Sequence, residues 1–315
     1  MNNSRTRYLP FALITPAVLI AALFSALVIQ ARAVSGSNSS PNDVKKKIAA
    51  LIAASNAQMI GIAFYDLASG KEVLINADES FHAASTMKVP VMMEIYRQAS
   101  AGKFSLDDRI PVKNDFISIA DGSHYSVSAT DDSEPTLYQK VGASETIREL
   151  MRLMIVKSSN LATNILIARV TAARVMELMR ELGAEKIRVL RGVEDSKAYE
   201  RGLNNTTTAR DLMILLRRIA ERRAVSKDAS DDMVRVLLGQ EFNEGIPAGL
   251  PKAARVAHKT GFITGINHDA AIIYLPDHQP YVLVVLTRGL TDEKRAHALM
   301  ADISRTVYES VVGGQ

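Results

Sequence analysis

The sequence predicts an α+β fold: an antiparallel sheet flanked by helices, joined to an all-helical lobe. Three observations predict it. After a leader, the chain opens with a helix and a β-hairpin. Its middle is a succession of helices, and its end returns to strands before a last amphipathic helix. The simplest packing joins both chain ends in one sheet and sets the middle apart as a second lobe. A cleft between the two is the expected place for a site. The catalytic region is read as 43–315, with an α/β lobe from 43–84 and 224–315 and a helical lobe from 85–223.

The leader comes first. Arg5 and Arg7 precede an apolar run from Phe11 to Ile29, and Ala31-Arg32-Ala33 has the small-x-small form of a cleavage site. The run is also long enough to cross a bilayer. Residues 1–33 are therefore expected to be either a cleaved export signal or an N-terminal anchor. Both place the remainder in the periplasm or outside the cell, touching membrane only through residues 11–29. Residues 34–42, rich in Ser, Asn and Gly, read as a linker.

Val44, Ile48, Leu51 and Ile52 recur at helical spacing and predict a helix over Asp43–Ala54. A hairpin follows: Met59–Asp66, a turn at Ser69-Gly70, then Glu72–Asn76. Thr86–Ser100 reads as a helix closed by Gly102. Residues 104–145 are polar and helix-poor. Glu145–Val156, Asn160–Val170 and Ala172–Leu182 read as three consecutive helices. Arg191–Asn205 is a long connection, and loops of that length inside a compact domain are usually functional. Thr208–Arg222 and Asp231–Leu238 read as helices, Arg255–Thr260, Asn267–Leu275 and Tyr281–Thr287 as strands, and Asp292–Val311 as the final helix.

Composition narrows the function. Apolar residues make up 47% and charged residues 23%, as in an ordinary globular protein. The absence of cysteine excludes disulfides, thiol nucleophiles and thiolate metal sites. Removing the three arginines of residues 1–33 leaves 35 basic against 34 acidic residues, so the formal charge of +4 is poor support for nucleic-acid binding. No Gly-x-Gly-x-x-Gly or P-loop occurs, and the six histidines lack metal-ligand spacing. Neither cofactor nor metal is expected.

Three short motifs carry chemistry. Ser85-Thr86-Met87-Lys88 places a hydroxyl and an amine one helical turn apart. A serine nucleophile needs an adjacent base, and a lysine serves if burial or nearby cations lower its pKa. Ser100-Ala101-Gly102-Lys103 repeats the pattern, but at a helix end broken by glycine. Ser158-Ser159-Asn160 falls between two helices, where its hydroxyl and amide can face a cleft or simply cap the next helix. Lys259-Thr260-Gly261 lies on a strand, with a lysine and a hydroxyl suited to a carboxylate and a glycine that lets backbone approach.

Together, in this order, the three motifs resemble the Ser-x-x-Lys, Ser-Asp-Asn and Lys-Thr-Gly set of class A β-lactamases and penicillin-binding serine hydrolases. The likeness runs from about residue 43 to the C-terminus. It includes the context Ala84–Pro90, the run Ser158–Asn164, and Asn205-Thr206-Thr207-Thr208, which is similar to the segment closing that family's Ω-shaped loop.

The resemblance implies that Ser85 is acylated and Lys88 is its base. Ser158 passes a proton to the leaving nitrogen, Asn160 holds the substrate amide, and Lys259, Thr260 and Gly261 receive its carboxylate. The backbone N–H groups of Ser85 and Phe262 would form the oxyanion hole. Glu194 falls close to the family's deacylating glutamate, but Ala198 stands where an asparagine would follow, and Ser159 replaces the middle aspartate. A solvated loop acid is the competing reading of Glu194. The implied reaction is β-lactam hydrolysis. The alternatives are a D-alanyl-D-alanine peptidase or esterase, and an anchored penicillin-binding sensor that acylates without turnover. The implied partner is a small β-lactam or cell-wall peptide, met by a monomer. His258 and His268, flanking Lys259-Thr260-Gly261, are expected to line the cleft. His82, His124, His278 and His297 are read as surface or packing residues.

Overall fold

The computed structural model describes residues 41–313. The expected export segment, 1–33, and most of the linker lie outside the described residues. In chain order the elements are α1 (Pro41–Ala54), β1 (Met59–Asp66), β2 (Glu72–Ile75), β3 (Phe81–His82), α2 (Lys88–Ser100), β4 (Arg109–Pro111), β5 (Phe116–Ile117), β6 (His124–Tyr125) and β7 (Ser144–Thr146). Then follow α3 (Ile147–Val156), α4 (Asn160–Val170), α5 (Ala172–Leu182), α6 (Ser196–Glu200), β8 (Thr206–Thr207), α7 (Ala209–Ala220) and α8 (Lys227–Leu238). The chain finishes with β9 (Arg255–Ile263), β10 (Ile266–Leu275), β11 (His278–Arg288) and α9 (Glu293–Val312).

Five antiparallel strands form the main sheet in the order β2-β1-β11-β10-β9. The chain's two ends therefore do meet in one sheet, with β1 paired to β11 from Met59↔Arg288 to Asp66↔Tyr281. Period-two alternation sorts its side chains. Ile60, Ile62, Phe64, Ala271, Ile273, Leu283 and Val285 pack on α1 and α9, with Val44, Ile48, Ile303 and Val307. Ala63, Ala270, Ile272, Val282, Val284 and Leu286 join the helical core, with Met92, Leu212 and Leu216.

Capping fixes where the helices begin. Thr146 accepts from the Glu149 N–H, Ser159 from Ala162, Thr208 from Asp211 and Asp292 from Arg295. At α1 the helix opens at Pro41, two residues before the expected start, because proline's fixed φ suits the first helical position.

Two further differences position the site. The helix expected from Thr86 starts at Lys88, and Ser85 lies ahead of it in a short 3-10 turn, Ala84–Met87. In that geometry residues three apart eclipse, so Ser85 and Lys88 remain on one side. Strand β9 continues through Gly261 and Phe262 to Ile263, three residues beyond its expected end at Thr260. Its pairing with β10 carries on from Thr260↔Asp269 to Ile263↔Ile266, and the reversal falls at Gly265, whose φ of 75° is left-handed.

Helix α9 is held by close backbone approach. A Cβ at Gly249 would overlap the Ala301 carbonyl oxygen. Gly249→Ala is expected to destabilise the fold by roughly 1–3 kcal/mol, lowering the thermal unfolding midpoint by several degrees. A midpoint equal to the wild type would show that this packing is slack.

Candidate functional site

The setting of Ser85 begins at the edge of the helical core. Strand β3 pairs with β8, so Phe81 and His82 lie against Thr207 and Thr206. The chain then turns sharply: Ala84 has φ 45°, a left-handed conformation that costs a non-glycine residue strain. The turn is held by an Ala84 N–H donated to His82 Nδ1 (3.1 Å) and by the Thr86 hydroxyl donated to the Ala83 carbonyl (2.6 Å). Strand β9 crosses immediately beside it. A Cβ at Gly261 would lie 3.1 Å from the Ser85 nitrogen and 3.2 Å from the Ala84 Cβ. That contact is the structural reason for the glycine of Lys259-Thr260-Gly261.

Lys88 is fully buried, and its ammonium donates to three acceptors: the Ser158 carbonyl at 2.6 Å, Ser158 Oγ at 3.1 Å and Asn160 Oδ1 at 3.1 Å. Burial pushes its pKa down to about 7, against the opposing pull of the Asp132 and Glu194 carboxylates. Lys259, also fully buried, donates to Ser158 Oγ at 3.1 Å and to the Thr260 carbonyl at 3.0 Å. Burial lowers its pKa well below the usual lysine value; the nearby Lys88 lowers it further, and Asp269 opposes the shift.

Ser158 Oγ thus sits between two amines. A hydroxyl has two acceptor sites and one proton. With both lysines donating, the proton is left to point away from them. Ser158 itself is left-handed, at φ 57°, immediately before helix α4.

Asn160 links this corner to the long connection. Its Oδ1 accepts from Lys88, and its Nδ2 donates to Glu194 Oε1 at 2.6 Å. The other Glu194 oxygen accepts the Ser128 N–H at 3.0 Å, and Glu194 takes φ 60°. The glutamate is therefore half-buried and doubly held, not a free solvated acid. Ala198 is buried in α6, whose first turn is capped by Asp195. It offers no side-chain amide beside Glu194.

Several residues that build the site were given no role from sequence. Asp132 Oδ2 receives three donors from the corner around Ser159 and a fourth from the Tyr138 hydroxyl. Asn164 clamps the backbone of Val193, accepting its N–H at 2.7 Å and donating to its carbonyl at 3.0 Å. Asn205 closes the neck of the connection, accepting from the N–H groups of Leu190 and Arg191, while its own carbonyl accepts from Ala83. Asn164 and Asn205 lie inside the segments that carried the family likeness. Asp132 stands in a polar stretch with no motif around it.

The histidine expectations are partly reversed. His258 does not line the cleft. It is buried, with Nδ1 2.9 Å from Asp269 Oδ1 and Nε2 3.3 Å from Asn243 Oδ1. His268 reaches the cleft wall, but its ring is occupied by backbone, with Nε2 2.8 Å from the His82 carbonyl oxygen, and burial holds it near pKa 4. His82 and His297, expected on the surface or in packing, both line the cleft.

Ser85, Ser158, Asn160, Glu194, Thr260, Gly261 and Phe262 all border one cleft of about 830 Å³. Phe262 is half-exposed at its rim. Lys88 and Lys259 lie behind that surface and reach it through Ser158. Such a set can activate a hydroxyl, hold a carboxylate and relay a proton. Among the described residues, no group of three His, Asp or Glu is placed to hold a metal ion.

Comparison with known proteins agrees in extent. The family model described as "Beta-lactamase enzyme family" matches residues 43–311. The β-lactamase Toho-1 of Escherichia coli is 28% identical over 94% of this chain and 96% of its own length. The crystal structure of a β-lactamase from Sphaerobacter thermophilus superposes with a TM-score of 0.74 at 26% identity, covering 87% of this chain and 98% of that one. A mutant of PBP-A, solved as its acyl-enzyme complex with penicillin G, gives a TM-score of 0.73 at 29% identity, covering 85% and 95%.

The Asn164 clamp has no room to spare, since a Cβ at Gly192 would overlap its amide oxygen. Gly192→Ala is expected to break the clamp, and hydrogen exchange at the Val193 amide should quicken about tenfold, the loss of one buried hydrogen bond. Unchanged protection there would show that other contacts hold the connection.

Proposed function

Because the chain belongs to the beta-lactamase enzyme family, we propose that it hydrolyses β-lactams through an acyl-enzyme on Ser85. It is a serine hydrolase of the class A type. The observation that carries the residue assignment is Ser158 Oγ held at 3.1 Å from both Lys88 and Lys259.

Neutral Lys88 takes the Ser85 proton as Oγ attacks the lactam carbonyl. The C–N bond breaks, and the ring nitrogen receives a proton through Ser158, which Lys88 replenishes. The backbone N–H groups of Ser85 and Phe262 hold the carbonyl oxygen as it gains charge. Lys259 and Thr260 take the substrate carboxylate, with Gly261 allowing close approach, and Asn160 takes its amide side chain. Glu194 then removes a proton from water as the water oxygen attacks the ester carbonyl; the C–Oγ bond breaks, Ser85 Oγ takes that proton back from Glu194, and the opened acid leaves. Each step needs only groups bordering the cleft or reaching it through Ser158.

One observation favours a second outcome at the last step. Both Glu194 oxygens are engaged, by Asn160 and Ser128, and Ala198 offers no amide to hold the water. The acyl-enzyme would then persist, as a penicillin-binding protein's does. In either case the setting is outside the cytoplasm. Arg5, Arg7 and the apolar run to Ile29 support that reading.

Timed intact-mass measurement with benzylpenicillin tests both readings. Wild type should gain one adduct and lose it, Ser85→Ala should gain none, and Glu194→Ala should keep its adduct at least about 10²-fold longer. An equal adduct lifetime in wild type and Glu194→Ala favours the persistent acyl-enzyme, and no adduct on wild type overturns the assignment. The base must be neutral, so the acylation rate should rise with pH through about 7, being about tenfold below its plateau one unit lower. A flat profile between pH 5.5 and 8.5 would remove Lys88 from the role of base.

A further inference from the structure

The sequence lacks the aspartate expected in the middle of the Ser158–Asn160 motif; Ser159 stands there. The structure supplies a carboxylate at the same corner from elsewhere in the chain. Asp132, buried, directs one oxygen at the start of α4. That oxygen accepts the Asn160 and Leu161 N–H groups at 2.9 Å each, the Ser159 hydroxyl at 3.2 Å and the Tyr138 hydroxyl at 3.0 Å. Its other oxygen accepts the Glu134 N–H at 3.0 Å. Ser159 in turn accepts the Ala162 N–H, so the opening donors of the helix are all engaged.

We propose that Asp132 is the positioning carboxylate of this catalytic corner, fixing Ser158 between the two lysines and setting the charge felt by Lys88. This rests on the acyl-enzyme reading above, with Lys88 as base.

Two arguments support it. The first is geometric. Four donors share one oxygen that has two lone pairs, an arrangement that a full negative charge sustains better than a neutral amide oxygen would. The corner needs such an anchor, because Ser158 is left-handed at φ 57° and precedes the first turn of α4. Loosening the Asn160 and Leu161 amides frees the residue on which both amines converge. The second is electrostatic. Asp132 is the larger of the two carboxylate influences that hold the Lys88 ammonium against burial, with Glu194 the other. The groups facing Lys88 are thus Asp132, Glu194, Ser158, Asn160 and the neighbouring Lys259.

The sign follows directly. Removing the Asp132 charge destabilises the Lys88 cation and lowers its pKa, so the neutral base persists to lower pH. The test is the pH profile of kcat/KM for a chromogenic cephalosporin, with acylation followed by intact mass. It uses the full chain as wild type, Asp132→Asn and the double variant Asp132→Asn/Ser159→Asp. In Asp132→Asn the plateau should fall about tenfold, and the acid inflection should move to lower pH by roughly half a unit or more. The double variant, which returns a single carboxylate from within the motif, should recover the wild-type inflection and most of the plateau. If Asp132→Asn does not fold, recovery of a folded double variant with the wild-type inflection carries the same conclusion. An inflection that stays put in Asp132→Asn, or a double variant no better than the single, overturns the proposal while leaving the acyl-enzyme reading intact. Failure of wild type to acylate overturns the acyl-enzyme reading instead.

Discussion

Two buried ammonium groups meeting at one hydroxyl are the constraint around which this protein is built. Taking a cation out of water costs several kcal/mol, and placing a second beside it adds repulsion. Lys88 and Lys259 are both fully buried and both donate to Ser158 Oγ. The arrangement holds because each lysine has other acceptors and because carboxylates stand close by, Asp132 and Glu194 towards Lys88 and Asp269 towards Lys259. The same strain is useful. A lysine that burial has pushed down to about 7 can be neutral near neutral pH, which an exposed lysine cannot.

The fold serves this meeting point from three directions. The 3-10 turn before α2 brings Ser85 and Lys88, the corner before α4 brings Ser158 and Asn160, and the edge strand β9 brings Lys259. None is near another in sequence. What brings them together is the sheet: β9 sits at its edge, and the Gly261 backbone lies against the Ser85 turn with no room for a side chain. Three non-glycine residues, Ala84, Ser158 and Glu194, are left-handed, one in each of the segments that carry the proposed nucleophile, relay and loop acid. Backbone strain of this kind persists only where surrounding contacts enforce it.

The sequence disclosed what repeats and what clusters. Periodicity located the helices and the sheet strands to within a few residues, and motif spacing singled out Ser85, Lys88, Ser158 and Lys259, of which the two lysines gather at Ser158 while Ser85 borders the same cleft. Strand β9 runs past the expected end at Thr260 because Gly261 and Phe262 keep their pairing with β10, opposite His268 and Asn267. The histidines were misjudged as well. His258 and the cleft-lining Thr260 share one face of β9, so what separates them is position along the strand, which residue pattern alone does not give. Asp132 was invisible for a different reason. It acts at long range, 28 residues before the amide it holds, from a stretch whose polarity resembles that of any surface loop.

One segment touches both halves of the chemistry. Residue 128 donates its N–H to Glu194, Asp132 secures the corner that carries Ser158, and the Tyr138 hydroxyl bridges them by reaching both the Ser128 carbonyl and Asp132. Under the proposed mechanism, residues 128–138 tie the group that would help form the ester to the one that would help break it. A substitution in this segment would then alter capture of a substrate together with its release, so the two half-reactions could not be tuned separately there.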